Sequence, residues 1–156
     1  MNEILAKSYQ SKYADTPHLT IQVDGKPLDV LLDEQYSGRN LLGLVPTLLN
    51  WLVDPKEQRV VWDRVESISP QVAPILMCPD DVDLWCTVIV IEIAKTDSVV
   101  KWLSVGLDMG DGENMSDSIG SDVDWFDGFE PLEFRLSDYE KFVTAFKMEL
   151  NTCEMI

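Results

Sequence analysis

The sequence predicts an α+β fold, a mainly antiparallel sheet packed by two or three helices within a single domain spanning residues 1–156. Three observations lead there. Ala73 to Cys78, Leu84 to Ala94 and Val99 to Asp108 are β-rich runs separated only by Pro79-Asp80-Asp81 and Lys95-Thr96-Asp97-Ser98. Such short links force antiparallel neighbours, because a parallel crossover takes about a dozen residues or more. Two further segments, 41–53 and 137–150, carry apolar residues at helical spacing. At 156 residues, 46% hydrophobic and with five Trp, the chain is long and aromatic enough to bury one core.

From the N-terminus, residues 2–13 form a polar leader with helical character. His18-Leu19-Thr20-Ile21-Gln22-Val23 then alternates with the strand period, and Asp24-Gly25 is a hairpin signal before a second strand, Leu28-Asp29-Val30-Leu31-Leu32. Pro27 makes that second strand an edge or a late starter. Residues 33–40 read as a loop, with Asn40 capping a helix over Leu41 to Val53. Its apolar stripe is Leu41, Leu44, Val45, Leu48, Leu49 and Leu52, and Asp54-Pro55 stops it. Lys56 to Ser67 fits either a strand or a short helix. Thr87-Val88-Ile89-Val90-Ile91 is apolar and β-branched almost throughout, as a strand covered on both faces requires. Met109 to Asp122 is a Gly-rich loop, and Val123 to Phe134 is an irregular extended return bent at Gly128. Ser137-Asp138-Tyr139-Glu140 is a capping box opening a C-terminal helix whose stripe is Tyr139, Phe142, Val143, Phe146 and Leu150.

Charge excludes whole classes of function. With 12 Lys plus Arg against 28 Asp plus Glu, the formal charge is -16. Direct binding to nucleic acid or to an anionic membrane is opposed electrostatically. Cys78, Cys86 and Cys153 lack the spacing of a disulfide framework or zinc site and read as reduced thiols. No secretion signal opens the chain, and the apolar run Thr87 to Ile91 is far short of the roughly 20 residues that span a bilayer. A cytoplasmic protein is expected.

Catalytic chemistry finds little support. His18, the single histidine, begins a strand with no Ser, Cys or carboxylate motif beside it, and reads as a surface or strand-end residue. Gly106, Gly110 and Gly112 lack the Lys and the succeeding helix of a phosphate loop. Counted from Asp122, carboxylates fall at positions 1, 3, 6, 9 and 12 of a calcium loop, but Phe126 occupies a ligand position and Gly128 comes one late. Paired carboxylates of the glycosidase kind have no specificity among 28 acids. The expectation is a non-enzyme with no metal and no cofactor.

The distribution of acid is more informative. No basic residue occurs between Lys101 and Arg135, and that interval holds Asp108, Asp111, Glu113, Asp117, Asp122, Asp124, Asp127, Glu130 and Glu133. Asp80, Asp81 and Asp83 precede the central strand, which an antiparallel meander sets beside the end of the next one, at Asp108. Both acid groups are therefore expected on one sheet edge. Trp85 and Trp102 fit inner-strand packing, whereas Trp125, set among Asp124, Phe126 and Asp127, suits an interface anchor for Arg or Lys. The expected partner-binding surface comprises Asp80, Asp81, Asp83, Asp108, Asp111, Glu113, Asp117, Asp122, Asp124, Trp125 and Asp127.

The run Cys78-Pro79-Asp80-Asp81-Val82-Asp83-Leu84-Trp85-Cys86-Thr87-Val88-Ile89-Val90-Ile91-Glu92-Ile93, with Trp102 and Gly106-Leu107-Asp108 downstream, resembles small acidic immunity proteins of bacterial polymorphic-toxin and contact-dependent inhibition systems. The resemblance covers the middle third of the chain. It implies stoichiometric cytosolic binding to a basic toxin domain, often a nuclease, and carries no catalytic residues with it. Two other readings stand beside it: a DNA mimic or other acidic regulator of a basic protein, and a metal-dependent enzyme with an acid-lined pocket.

Overall fold

The computed structural model describes residues 1–12, 16–52, 54–67, 70–79, 84, 87–110 and 119–154, with side chains through residue 149. Among these residues, two antiparallel sheets and three helices make up the fold. In the first sheet, β1 (Ile4–Tyr9) pairs antiparallel with β2 (His18–Val23), from Ile4 opposite Val23 to Tyr9 opposite His18. The predicted helical leader is thus a strand. Local polarity allowed a helix, but Ile4 and Ala6 face inward on alternate positions and the partner strand decides the outcome.

The Asp24-Gly25 turn forms as the sequence indicates, with both residues at positive φ (51° and 84°). The second strand expected after it does not form. β3 is only Lys26–Pro27, and Leu28 to Leu32 is helical, within α1 (Leu28–Gln35). Pro27, preset near the helical φ and lacking an N–H, precedes the first turn and starts the helix rather than a strand. Leu28 and Leu32, one turn apart, are both buried.

The helix expected over Leu41 to Val53 is not formed. Asn40 and Gly43 sit at positive φ (60° and 95°), and the described residues run through successive turns with a two-residue strand, β4 (Val45–Pro46). The leucines are buried all the same, because this connection passes through the core. A buried backbone must find partners. Asp29 supplies one by accepting from the Gly43 N–H at 2.9 Å, while Thr47 donates from N to Ile75 O (3.0 Å) and from Oγ1 to Pro74 O (2.9 Å). Asp54-Pro55, read as a stop, is instead the start of α2 (Pro55–Val65): the Asp54 carboxylate caps the Lys56 N–H at 2.9 Å. That resolves the ambiguous Lys56 to Ser67 segment as helix.

The second sheet is the predicted meander, except that its central strand begins at Val88 and not at Leu84, which like Thr87 lies outside any strand. β5 (Gln71–Met77), β6 (Val88–Lys95) and β7 (Val99–Asp108) pair antiparallel in sequence, with β4 beyond β5. The irregular return divides into β8 (Val123–Trp125) and β9 (Leu132–Arg135), which share the outer edge of β7 on either side of a turn with Gly128 at φ 75°. α3 (Leu136–Glu154) comes directly after, opening one residue ahead of the expected box, and packs on β1, β7 and β9. Tyr139, Phe142, Val143 and Phe146 are its buried face, as the stripe predicts, while the Leu150 side chain lies outside the described residues. Asn2 ties the sheets together: its N–H donates to Glu133 O and its Oδ1 accepts the Glu133 N–H. No helix among the described residues is long and apolar enough to cross a membrane.

Candidate functional site: the acidic sheet edge

The end of β7 and the short β8 build the described part of the acidic surface. Leu107 pairs with Asp124 and Asp108 with Val123, while the Met109 N–H donates to Asp122 O at 2.7 Å. Asp108, Asp122 and Asp124 therefore share one corner. The close approach depends on Gly106, where a Cβ would lie 2.7 Å from both Asp124 O and Val123 Cγ1. The sequence offers Gly106 as a fragment of a spurious phosphate loop and as part of the Gly106-Leu107-Asp108 run; in the fold it admits β8.

The acids are not equivalent. Asp108 is committed to the fold: its Oδ1 accepts the Gly120 N–H at 3.0 Å and its Oδ2 the Gly110 N–H at 3.3 Å, so it clamps the loop at both ends. It is half-buried, and its carboxylate holds these bonds at the acidic corner. Asp124 is half exposed and pairs with Arg39 at 3.2 Å. Asp122 and Asp127 are exposed with no ion pair among the described residues. Trp125 is 38% exposed beside them, whereas its neighbour Phe126 is buried. Phe126, just past the end of β8, is covered by Tyr36 and Arg39. Asp80, Asp81, Asp83, Asp111, Glu113 and Asp117 lie outside the described residues, as does Trp85.

Two arginines remote in sequence brace this corner. The Arg39 guanidinium lies 4.2 Å from the centre of the Phe126 ring, and Tyr36 packs on the same ring at 4.9 Å. Burial pushes the Tyr36 hydroxyl up, and the Asp127 carboxylate adds to that while Arg39 opposes it. Arg64, on α2, donates from Nη1 to Val72 O at 3.1 Å and also to Ile119 O, securing the far end of the acidic loop. The stretch from Lys101 to Arg135 is base-free along the chain, yet in space it is flanked by cations. Neither arginine carries a local motif that would have revealed this.

Other candidates resolve as packing. Trp102 is core, edge-on to Phe134 at 5.1 Å, as its strand position predicts. His18 is a strand-end residue but is buried, not at the surface. Its Nδ1 meets Leu19 O at 2.8 Å and its Nε2 meets Ser11 Oγ at 2.7 Å, with Trp51 edge-on at 5.1 Å. The residues from Asp122 to Glu133 form two strands and a turn instead of a coordinating loop, and no group of three or more His, Cys, Asp or Glu among the described residues is placed to hold a metal ion. No family model, curated protein or solved structure matches this chain.

Proposed function

We infer that this chain is a non-catalytic binding protein for a basic partner, working as the immunity proteins it resembles do, by stoichiometric cover of a basic nuclease-type toxin domain in the cytosol. The observation that carries this reading is the seat of Arg39. Asp124 and Phe126 hold a guanidinium between carboxylate and aromatic face, which is the recognition a basic surface demands. Beside that seat, Asp122, Asp127 and Trp125 present the same chemistry outward, with no cation of this chain paired to the two carboxylates among the described residues. The net charge of -16 supports fast capture of a cationic domain.

Purification of the tagged chain from its native host, with mass spectrometry of what it retains, identifies the partner. The double reversal Asp122→Lys with Asp127→Lys is then expected to leave folding intact and slow association about 10-fold at low salt, with the gap closing as salt rises. Asp124 is spared because its pair with Arg39 belongs to the fold. Unchanged association rates would remove this edge from the interface.

A further inference from the structure

A cavity of about 620 Å³ opens on the opposite flank of the molecule, between the C-terminal end of α2, the β6–β7 hairpin and α3. Its volume is in the range of small-molecule sites. Lys95 reaches it from the end of β6, with Nζ 5.4 Å from the centre of the Tyr139 ring and no carboxylate within ion-pairing distance among the described residues. In a chain with 28 acids and 12 bases, an unpaired, half-buried lysine is out of keeping. Burial draws the Lys95 ammonium down from its ordinary pKa, and the carboxylates of Glu66 and Glu140, close but not in contact, oppose that.

The second lysine of the cavity behaves differently. Lys147 is engaged by Glu66 and lies 5.7 Å from the centre of the Trp62 ring, so both it and Glu66 are already occupied. Asp97 and Glu140 line the same space, and neither carries an ion pair among the described residues. Leu136, Val143 and Tyr139 give it an apolar and aromatic side. The phenol of Tyr139 is 1% exposed, its ring edge-on to Trp102 at 6.5 Å.

The unspent groups are one cation and two carboxylates beside apolar surface. An anion would pair with Lys95 and then face Asp97 and Glu140 unbalanced. A polyamine would satisfy those carboxylates and be repelled by Lys95. A zwitterion with an apolar body satisfies both signs. We propose that this cavity binds a free α-amino acid, its carboxylate on Lys95, its ammonium on Glu140 and Asp97, and its side chain over Leu136 and Val143. The site is separate from the acidic edge and does not rest on the function proposed there.

The test is calorimetric titration of the full chain with L-leucine, L-phenylalanine and L-lysine, accompanied by amide chemical-shift mapping. Saturable one-site binding is expected for at least one of them, with shifts centred on Thr96 and Thr144. The N-acetyl and C-amide derivatives of that amino acid are each expected to bind about 10-fold more weakly, since each removes one charged contact. Lys95→Met, which keeps the apolar stem, is expected to lower affinity at least about 10-fold, and Glu140→Gln several-fold, both with an unchanged far-ultraviolet spectrum. A Lys95→Met variant with altered fold is replaced by the derivative series on the unmodified chain, which tests the same contact. Absence of saturable binding at about 10 mM of every amino acid tried, a scale corresponding to under 3 kcal/mol, overturns the proposal. So does binding indifferent to blocking the carboxylate or the amine.

Discussion

Arg39 and Asp29 show how single residues take roles that no local pattern announces. Arg39 lies between Gly38, at φ 94°, and Asn40, at φ 60°; this kinked loop delivers its guanidinium to Asp124 and Phe126, whose chain positions are 85 and more residues away. The pair is solvent-exposed, so Arg39→Ala is expected to cost no more than about 1 kcal/mol of stability by denaturant titration. The same change leaves Asp124 unpaired and is expected to speed capture of a basic partner. Asp29 is a buried carboxylate whose pKa is raised by burial, an effect that hydrogen bonds from Gly43 and nearby backbone and the neighbouring His18 only partly offset. A raised folded-state pKa means that protonation favours the fold. That stability is fully present below the unfolded pKa and is lost as pH rises through the folded one. Asp29→Asn keeps an oxygen for the Gly43 N–H and removes the charge. It is expected to melt higher than the parent at neutral pH, with the two melting curves converging toward about pH 4.

At the scale of elements, the periodic signals that succeeded were those whose partners lie next to them in sequence. The β6–β7 hairpin and the buried stripe of α3 were legible because a short link and a 3.6-residue period leave little choice. The leucine-rich 41–53 segment misled for a physical reason. The leucines and Val45 of its stripe are buried around a connection through the core, so their spacing reports burial and not helicity. Asp54-Pro55 likewise serves as an end or a beginning, and only the adjoining fold selects which. Gly106 carries a sharper test. Adding a methyl there drives it to 2.7 Å from backbone of β8, so Gly106→Ala is expected to cost about 1–3 kcal/mol and to unpin β8. Increased exposure of Trp125, read by quenching of its fluorescence in a background where the other tryptophans are replaced by Phe, reports the loss. An unchanged melting temperature would mean that β8 does not depend on that close approach.

For the molecule as a whole, self-repulsion is the dominant long-range force. A charge of -16, with Asp122, Asp124 and Asp127 crowded on one edge, is expected to make the fold salt-sensitive. Melting temperature is expected to rise as sodium chloride increases from about 10 to 150 mM, the range over which the screening length contracts from about 30 to 8 Å. A flat response would show that the internal cations, Arg39 and Arg64 among them, already neutralise the repulsion. The α+β class and its central antiparallel sheet, the presence of a buried aromatic face on the last helix, the overall charge and the base-free interval were all determined by the sequence itself, because composition, period and link length act locally. The tertiary structure alone decided which acids face outward, that Asp108 is spent as a loop clamp, that Gly106 admits β8, and that arginines from distant segments flank the acidic interval. Those outcomes depend on contacts between residues far apart in the chain, where charge and shape complementarity are created by folding and have no periodic trace along it.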